Sequence, residues 1–466
     1  MKSRWRFLIL TLLILGFGAT SVYLLGTPRL VDIRPAPGAT DVPAGAALQL
    51  TFSRPMQAES ITKKLDIQPF HNGKSTWNER TFTFTPNQPW PNGETIQIHL
   101  VAGARASGWF SFPTRQERAW SFTIEKPFLL YLYPTNSPSA IYAIDPETDA
   151  ADKLTNLPGE VFDYGVDASG SVIVYSASQA SGGNAIYKLN RLSGENSAIL
   201  EFPEAQVRYP QISPSGEYLA YERTPLAQSD QPNLSQVWLL PLGEEQNPLP
   251  EQSPFAVGEA GHQTQQPFWS PTSLLTFYDA TLSAFILYDP QTLAREQIPS
   301  QTGQAGVWDP QGRWYLFPEI LFNISSETAD STGVTPIPAS HLIRYDRMSK
   351  SLKDLTLLDN LEDTSPAFSP DGETIVFARK YLNIAAWTPG RQIWLMNADG
   401  SHARPITQQP QYNHYAFSWS PTGDRIAYVR FNQTQLTEPP EVWVIHADGS
   451  QPQKIVTGGY APQWIP

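Results

Sequence analysis

The chain has 466 residues, 12% aromatic and 16% charged, with 43 prolines, no cysteine and a net charge of −12. Without cysteine there can be no disulfide, thiol catalysis, thiolate-bound zinc, iron–sulfur cluster or lipobox. The acidic balance, with no basic patch in the folded part, argues against a nucleic-acid partner, which needs clustered Lys and Arg. Many aromatics and prolines beside few charges fit short strands joined by turns better than packed helices.

Lys2, Arg4 and Arg6 precede an uncharged stretch from Phe7 to Gly26. At ~1.5 Å per residue it is about as long as a bilayer's hydrocarbon core is thick. The basic flank predicts a cytoplasmic N-terminus and export of all that follows. Residues 1–26 therefore read as an uncleaved signal-anchor, a transmembrane helix. A cleaved signal peptide is the alternative, although its apolar region is usually only ~7–15 residues long. No small-x-small cleavage site follows, since the stretch ends Ser21-Val22-Tyr23-Leu24-Leu25.

Residues 29–126 alternate apolar and polar positions in Leu48–Phe52, Thr81–Thr85, Ile96–Leu100 and Trp120–Ile124. This is the period of strands with one buried face, and several in so short a segment predict a β-sandwich. Gly73-Lys74-Ser75 lacks the first glycine of a phosphate loop, with Gln68 in its place; it reads as a hairpin turn. The strings PAPGATDVP (35–43), LTFSRPM (50–56), TFTFTP (81–86) and WSFTI (120–124) resemble the bacterial Ig-like domain of surface-layer proteins. The resemblance implies an Ig-like spacer or adhesion module.

From residue 127 to 466 a turn followed by an aromatic strand recurs: Asp167–Gly170, Ser213–Gly216, Ser270–Ser273, Asp309–Gly312, Ser369–Gly372 and Ser420–Gly423. Proline presets φ at the first corner of such a turn and glycine tolerates positive φ at its end. A further strand follows each, as in Gln236–Leu239, Gln392–Leu395 and Glu441–Val444, and then an outer one, as in Lys153–Thr155, Leu355-Thr356 and Pro405–Thr407. With the strand before each turn this makes four per unit, the pattern of propeller blades.

The region opens at a unit's second strand (Leu130–Tyr133) and ends on Ala461–Pro466, which matches the strand before each turn. The last strand is thus expected to complete the first blade, giving a seven-bladed β-propeller with no free sheet edge. The pattern of residues 369–407, repeated in 420–456, resembles the TolB-type propeller. That resemblance implies the fold and leaves function open, since one scaffold hosts binders and enzymes alike.

Chemistry is sparse. His71, His99, His262, His341, His402, His414 and His446 stand singly, in no metal-ligand spacing. No nucleophile elbow, catalytic residue or cofactor motif is found. Asp145, Glu147, Asp149 and Asp152 share one hairpin loop and read as solvated turn residues in preference to a calcium site.

Long connections follow the strand after each turn: Glu222–Leu234, Pro318–Ser340, Lys380–Arg391 and Phe431–Pro440, with Leu242–Gln265 between the third and fourth blades. Such loops are expected on one face, and insertions gathered on one face mark a binding face. The candidate contacts there are Tyr381, Trp387, Phe322, His414 and Tyr415, because exposed aromatics give large contact area at small entropic cost. The bland alternative is that these aromatics fold back to cap their own loops.

The leading functional reading is a non-enzymatic, membrane-anchored binding or scaffold protein outside the cytoplasmic membrane of a bacterium, its ligand a protein, peptide or glycan. An enzyme acting on polysaccharide or peptide and a purely structural or sensory ectodomain are the rivals. Converging carboxyls of raised pKa in the channel mouth would favour the enzyme.

Overall fold

The computed structural model describes residues 26–465, except 79, 88, 109–110, 149, 158, 181, 192, 227–232, 244–247, 249–251, 322–338 and 359. All but the last residue of the Phe7–Gly26 stretch, and Phe322, lie outside the described residues. Among the described residues no helix is long and apolar enough to cross a membrane. The chain divides into two compact units between Lys126 and Pro127, and the described elements are almost entirely strands, so the fold is all-β.

The first unit contains β1 (Leu30–Arg34), β2 (Leu48–Phe52), α1 (Ala58–Thr62), β3 (Leu65–Gln68), β4 (Gly73–Asn78), β5 (Thr81–Pro86), β6 (Thr95–Leu100) and β7 (Arg118–Thr123). Two antiparallel sheets, β1-β2-β5-β4 and β3-β6-β7, enclose the core. Alternation does what the sequence predicts: Leu48, Leu50, Phe52, Phe82, Phe84, Ile96, Ile98 and Phe122 all point inward. Each such side chain contributes roughly 1.5–3 kcal/mol of transfer free energy. Trp90 fills the centre, and its indole nitrogen donates to the Ala46 carbonyl at 2.7 Å. Gly73-Lys74-Ser75 is not a hairpin turn. It opens β4, with Gly73 opposite Pro86 and Lys74 opposite Thr85. The polar, largely exposed β4 carries no apolar period that would have revealed it.

The second unit begins with β8 (Phe128–Tyr133), β9 (Ala140–Ile144) and β10 (Ala151–Lys153). Five runs of four follow: β11 (Val161–Val166), β12 (Val172–Ser178), β13 (Asn184–Asn190) and β14 (Asn196–Phe202); β15 (Ala205–Ile212), β16 (Tyr218–Pro225), β17 (Gln236–Pro241) and β18 (Phe255–Ala256); β19 (Thr264–Trp269), β20 (Leu275–Asp279), β21 (Ala284–Tyr288) and β22 (Arg295–Pro299); β23 (Val307–Trp308), β24 (Trp314–Leu321), β25 (Ala339–Asp346) and β26 (Ser351–Asp354); β27 (Leu361–Phe368), β28 (Thr374–Tyr381), β29 (Gln392–Asn397) and β30 (Arg404–Pro405). The chain ends with β31 (Tyr412–Trp419), β32 (Arg425–Asn432), β33 (Glu441–His446), β34 (Gln453–Thr457) and β35 (Tyr460–Ile465).

Each run is an antiparallel meander, and β35 pairs with β8, so the described residues form seven four-stranded sheets. A single parallel bridge, Ser340 to Glu362, links sheets 5 and 6. Consecutive sheets share apolar clusters. Between sheets 2 and 3, for example, Val174 and Ile186 meet Val207 and Leu219. The seventh meets the first through Val429 and Val442 against Leu129 and Tyr131. Strands covered on both faces need continuous apolar runs, as in Ile173–Tyr175 and Ile375–Phe377, all buried.

The repeated turns are built alike. The Gly216, Gly372 and Gly423 amides donate to the Ser213, Ser369 and Ser420 carbonyls at 2.8, 2.8 and 2.9 Å. Each glycine has a φ of 74–76°, which a side chain would strain. The serine hydroxyls accept the amide five residues on, at 3.1, 3.0 and 3.0 Å.

A second regularity displaces the expected outer strands. Leu355-Thr356 and Ile406-Thr407 lie just beyond β26 and β30 and fold inward. The Thr356 and Thr407 hydroxyls accept the amides of Leu342 and Ile393 at 3.0 and 2.9 Å, as Thr155 does for Ile141 at 3.0 Å.

The Leu242–Gln265 segment is not one connection between sheets. It contains β18, which pairs with β17. The chain therefore leaves β17 at the end carrying the short turns, opposite the long connections.

Candidate binding face

The long connections emerge where second strands end and third strands begin. In sheet 6 the connection runs from Leu382 to Arg391 and is fastened at its base. The Leu382 amide donates to the Asn360 carbonyl at 2.9 Å, and the Gly390 amide to the Pro410 carbonyl at 2.9 Å. Arg391 ion-pairs with Glu362 at 2.8 Å. A Cβ at Gly390 would lie 2.0 Å from the Tyr412 carbonyl oxygen, so only glycine lets the loop base approach sheet 7 this closely.

From this fixed base the tip projects. Ile384 is 99% exposed and Trp387 53% exposed. The Lys380 ammonium sits 5.4 Å from the centre of the Trp387 ring and is itself paired with Glu362 at 3.8 Å. Leu357 and Leu358, in the segment that Asn360 ties to this loop, are 70% and 57% exposed.

The other predicted contacts divide. Tyr381 is the last residue of β28, half-buried, with its ring edge-on to Trp394 at 6.2 Å. His414 is fully buried in β31. Its Nδ1–H donates to the Arg391 carbonyl at 2.7 Å, which leaves Nε2 a buried lone pair without a partner among the described residues. Burial pushes its pKa down to about 4. Its place is under the loop base. Tyr415 is half-buried beside Phe431 at 5.9 Å, and burial pushes its phenol up. Tyr381 and Trp387 thus share one corner of sheet 6, His414 supports the loop base, and Tyr415 packs in the cluster between sheets 7 and 1.

Charged residues that the sequence did not flag lie at the same end. Asp363 is fully buried and accepts both Arg379 nitrogens at 2.7 Å, with the Thr356 hydroxyl at 2.8 Å. The guanidinium is stacked near Phe377 and Trp394, 4.9 and 5.0 Å from their centres.

Bulges at residues of positive φ (Tyr209, Gln266, Ser365, Ala416 and Ala461) mark the first strands of sheets 3, 4, 6 and 7 and the closing β35. Two of these bulge amides meet carboxylates of the preceding sheet. Tyr209 N donates to Asp163 at 3.0 Å and Gln266 N to Glu222 at 2.9 Å. Asp163 also takes the Ser176 hydroxyl at 2.5 Å and stands 3.6 Å from the Arg208 guanidinium. Burial pushes both carboxyls up, and the Asp163 charge raises Glu222 further. Their only trace in the sequence is a charge interrupting an apolar strand. Among the described residues no group of three or more His, Asp or Glu could hold a metal ion.

Residues 26–124 match the bacterial Ig-like domain family. No curated protein matches the chain. Several solved structures resemble it. TolB from Acinetobacter baumannii is 11% identical, covering 88% of this chain and 86% of that one, with a TM-score of 0.43. The β-propeller domain of the trilobed protease from Pyrococcus furiosus is 9% identical, covering 78% and 93%, with a TM-score of 0.48. A prolyl endopeptidase structure is 11% identical, covering 86% of this chain and 52% of that one, with a TM-score of 0.50. At such identities the likeness concerns fold alone.

Proposed function

We propose that the chain is a non-enzymatic binding or scaffold protein of a bacterial envelope. Residues 1–26 anchor it in the cytoplasmic membrane and both folded units lie outside. The Ig-like unit, of the surface-layer kind, is the spacer. The seven sheets are the blades of a propeller closed by β35, and its long-loop face takes a protein, peptide or glycan. The observation that carries this reading is the sheet 6 loop, whose base is fixed by hydrogen bonds while Ile384 and Trp387 stand in solvent. An apolar tip on a rigid base offers contact area at little ordering cost. Glycan-array and pull-down screening with the full chain tests it. A ligand whose binding is unaffected by Trp387→Ala together with Ile384→Ser would overturn it.

A second reading rests on Asp163 and Glu222. Two carboxyls whose pKa burial raises are the kind of group from which a general acid is drawn. Hydrolysis of a polysaccharide or peptide that vanishes in both Asp163→Asn and Glu222→Gln would replace the binding reading with an enzymatic one.

A further inference from the structure

The Ig-like unit holds a cleft of about 350 Å³ whose walls include Thr27, Arg29, Phe52, Thr114, Arg115 and Arg118. We infer that this cleft receives the phosphate-bearing headgroup of an anionic lipid, an inference resting on the membrane anchor proposed for residues 1–26. The first argument is charge. In a chain of net charge −12, three arginines line one cleft. The carboxylate within the same stretch, Glu117, is turned to His99 at 3.7 Å. Guanidinium groups present planar forks that match phosphate oxygens in pairs.

The second argument is position. Thr27 follows directly on the apolar stretch and is itself a wall of the cleft. Gly26 is packed so tightly on Phe112 that a Cβ would fall 2.6 Å from the ring. The first residues after the proposed anchor are therefore walls of the cleft. Arg29 is three residues from the end of the stretch; at ~3.5 Å per residue that is roughly 10 Å from the bilayer surface at most, about one Debye length.

The third argument is construction. The Arg29 amide donates to the Ser53 hydroxyl at 3.0 Å and its carbonyl accepts the Ser53 amide at 2.8 Å. The backbone of this arginine is thereby held in place, and Phe52 and Leu100 give the cleft an apolar floor suited to glycerol carbons.

The test places the full chain in lipid nanodiscs of phosphatidylcholine, with or without phosphatidylglycerol, and follows hydrogen–deuterium exchange. In the anionic discs, residues 27–30 and 112–118 should exchange about fivefold more slowly or better, since each arginine near a charged surface contributes about that factor. The variant combining Arg29→Gln, Arg115→Gln and Arg118→Gln should lose this protection while the strands of both units exchange as before. Normal incorporation with equal exchange in the two lipids overturns the inference and leaves the anchor standing. Equal protection by inorganic phosphate in phosphatidylcholine discs also overturns it, naming a free anion in place of the membrane. Failure of the chain to enter discs of either composition removes the anchor reading and this inference with it.

Discussion

The Tyr164 hydroxyl donates to the Ala461 carbonyl at 2.6 Å, joining the second sheet to the last strand of the chain across 297 positions of sequence. Beside that contact Trp464 and Ile465, both buried, pair with Leu129 and Phe128 of the first sheet. Deleting residues 463–466 should therefore lower the melting temperature far more than a terminal trim usually does. The loss of one buried indole alone is worth roughly 3–5 kcal/mol. An unchanged midpoint would sink the proposed ring closure.

Retention of the N-terminal stretch is checked by intact mass. The exported protein should keep residues 1–26 and fractionate with membranes. A mature N-terminus between Ala19 and Thr27 would make the stretch a signal peptide.

Tyr381 and Trp387 should behave differently when replaced by Ala. Trp387 is exposed at the loop tip, so its loss should weaken ligand binding with the melting temperature unchanged. Tyr381 packs against Trp394, so its loss should cost about 1 kcal/mol or more of stability. Equal destabilisation by both changes would mean the tip is a cap.

His414 predicts a pH dependence. Its folded pKa of about 4 lies below the ordinary value of about 6.5, so the unfolded chain takes up the proton first. Its contribution to stability is fully present above about pH 6.5. It declines as pH falls towards 4, by on the order of 3 kcal/mol in all. In His414→Gln the slope of unfolding free energy over this window should flatten; an identical slope would mean the ring is hydrated.

Arg379→Met should cost roughly 3–5 kcal/mol in chemical denaturation, because it strands the buried Asp363 carboxylate. The double change Arg379→Met with Asp363→Leu should recover part of that loss. No recovery would show that the guanidinium matters through its stacking on Phe377 and Trp394 more than through its charge.

The sequence by itself determined the β-strand character of both units, the repeated turns and the second strands of the repeats. These are local matters: Ser-Pro-x-Gly closes its own hydrogen bonds, and a strand covered on both faces must be apolar throughout. It also placed the last strand as the match of those before each turn, because Ala461–Ile465 has that pattern and no partner nearby in sequence. The polar strand β4 was hidden, since an exposed strand has no apolar period, and so was β18, two exposed residues held by pairing alone.

Tertiary structure alone decided which of the candidate side chains reach solvent. Whether an aromatic or histidine near a loop faces water depends on what the next sheet places against it. So His414 disappears under Arg391, while Trp387, six residues beyond Tyr381, stays in solvent. Asp163 and Glu222 gain their raised pKa values from burial by the neighbouring sheets, which outweighs the opposing pull of the bulge amides. Residues distant in the chain create that environment, and no local motif encodes it.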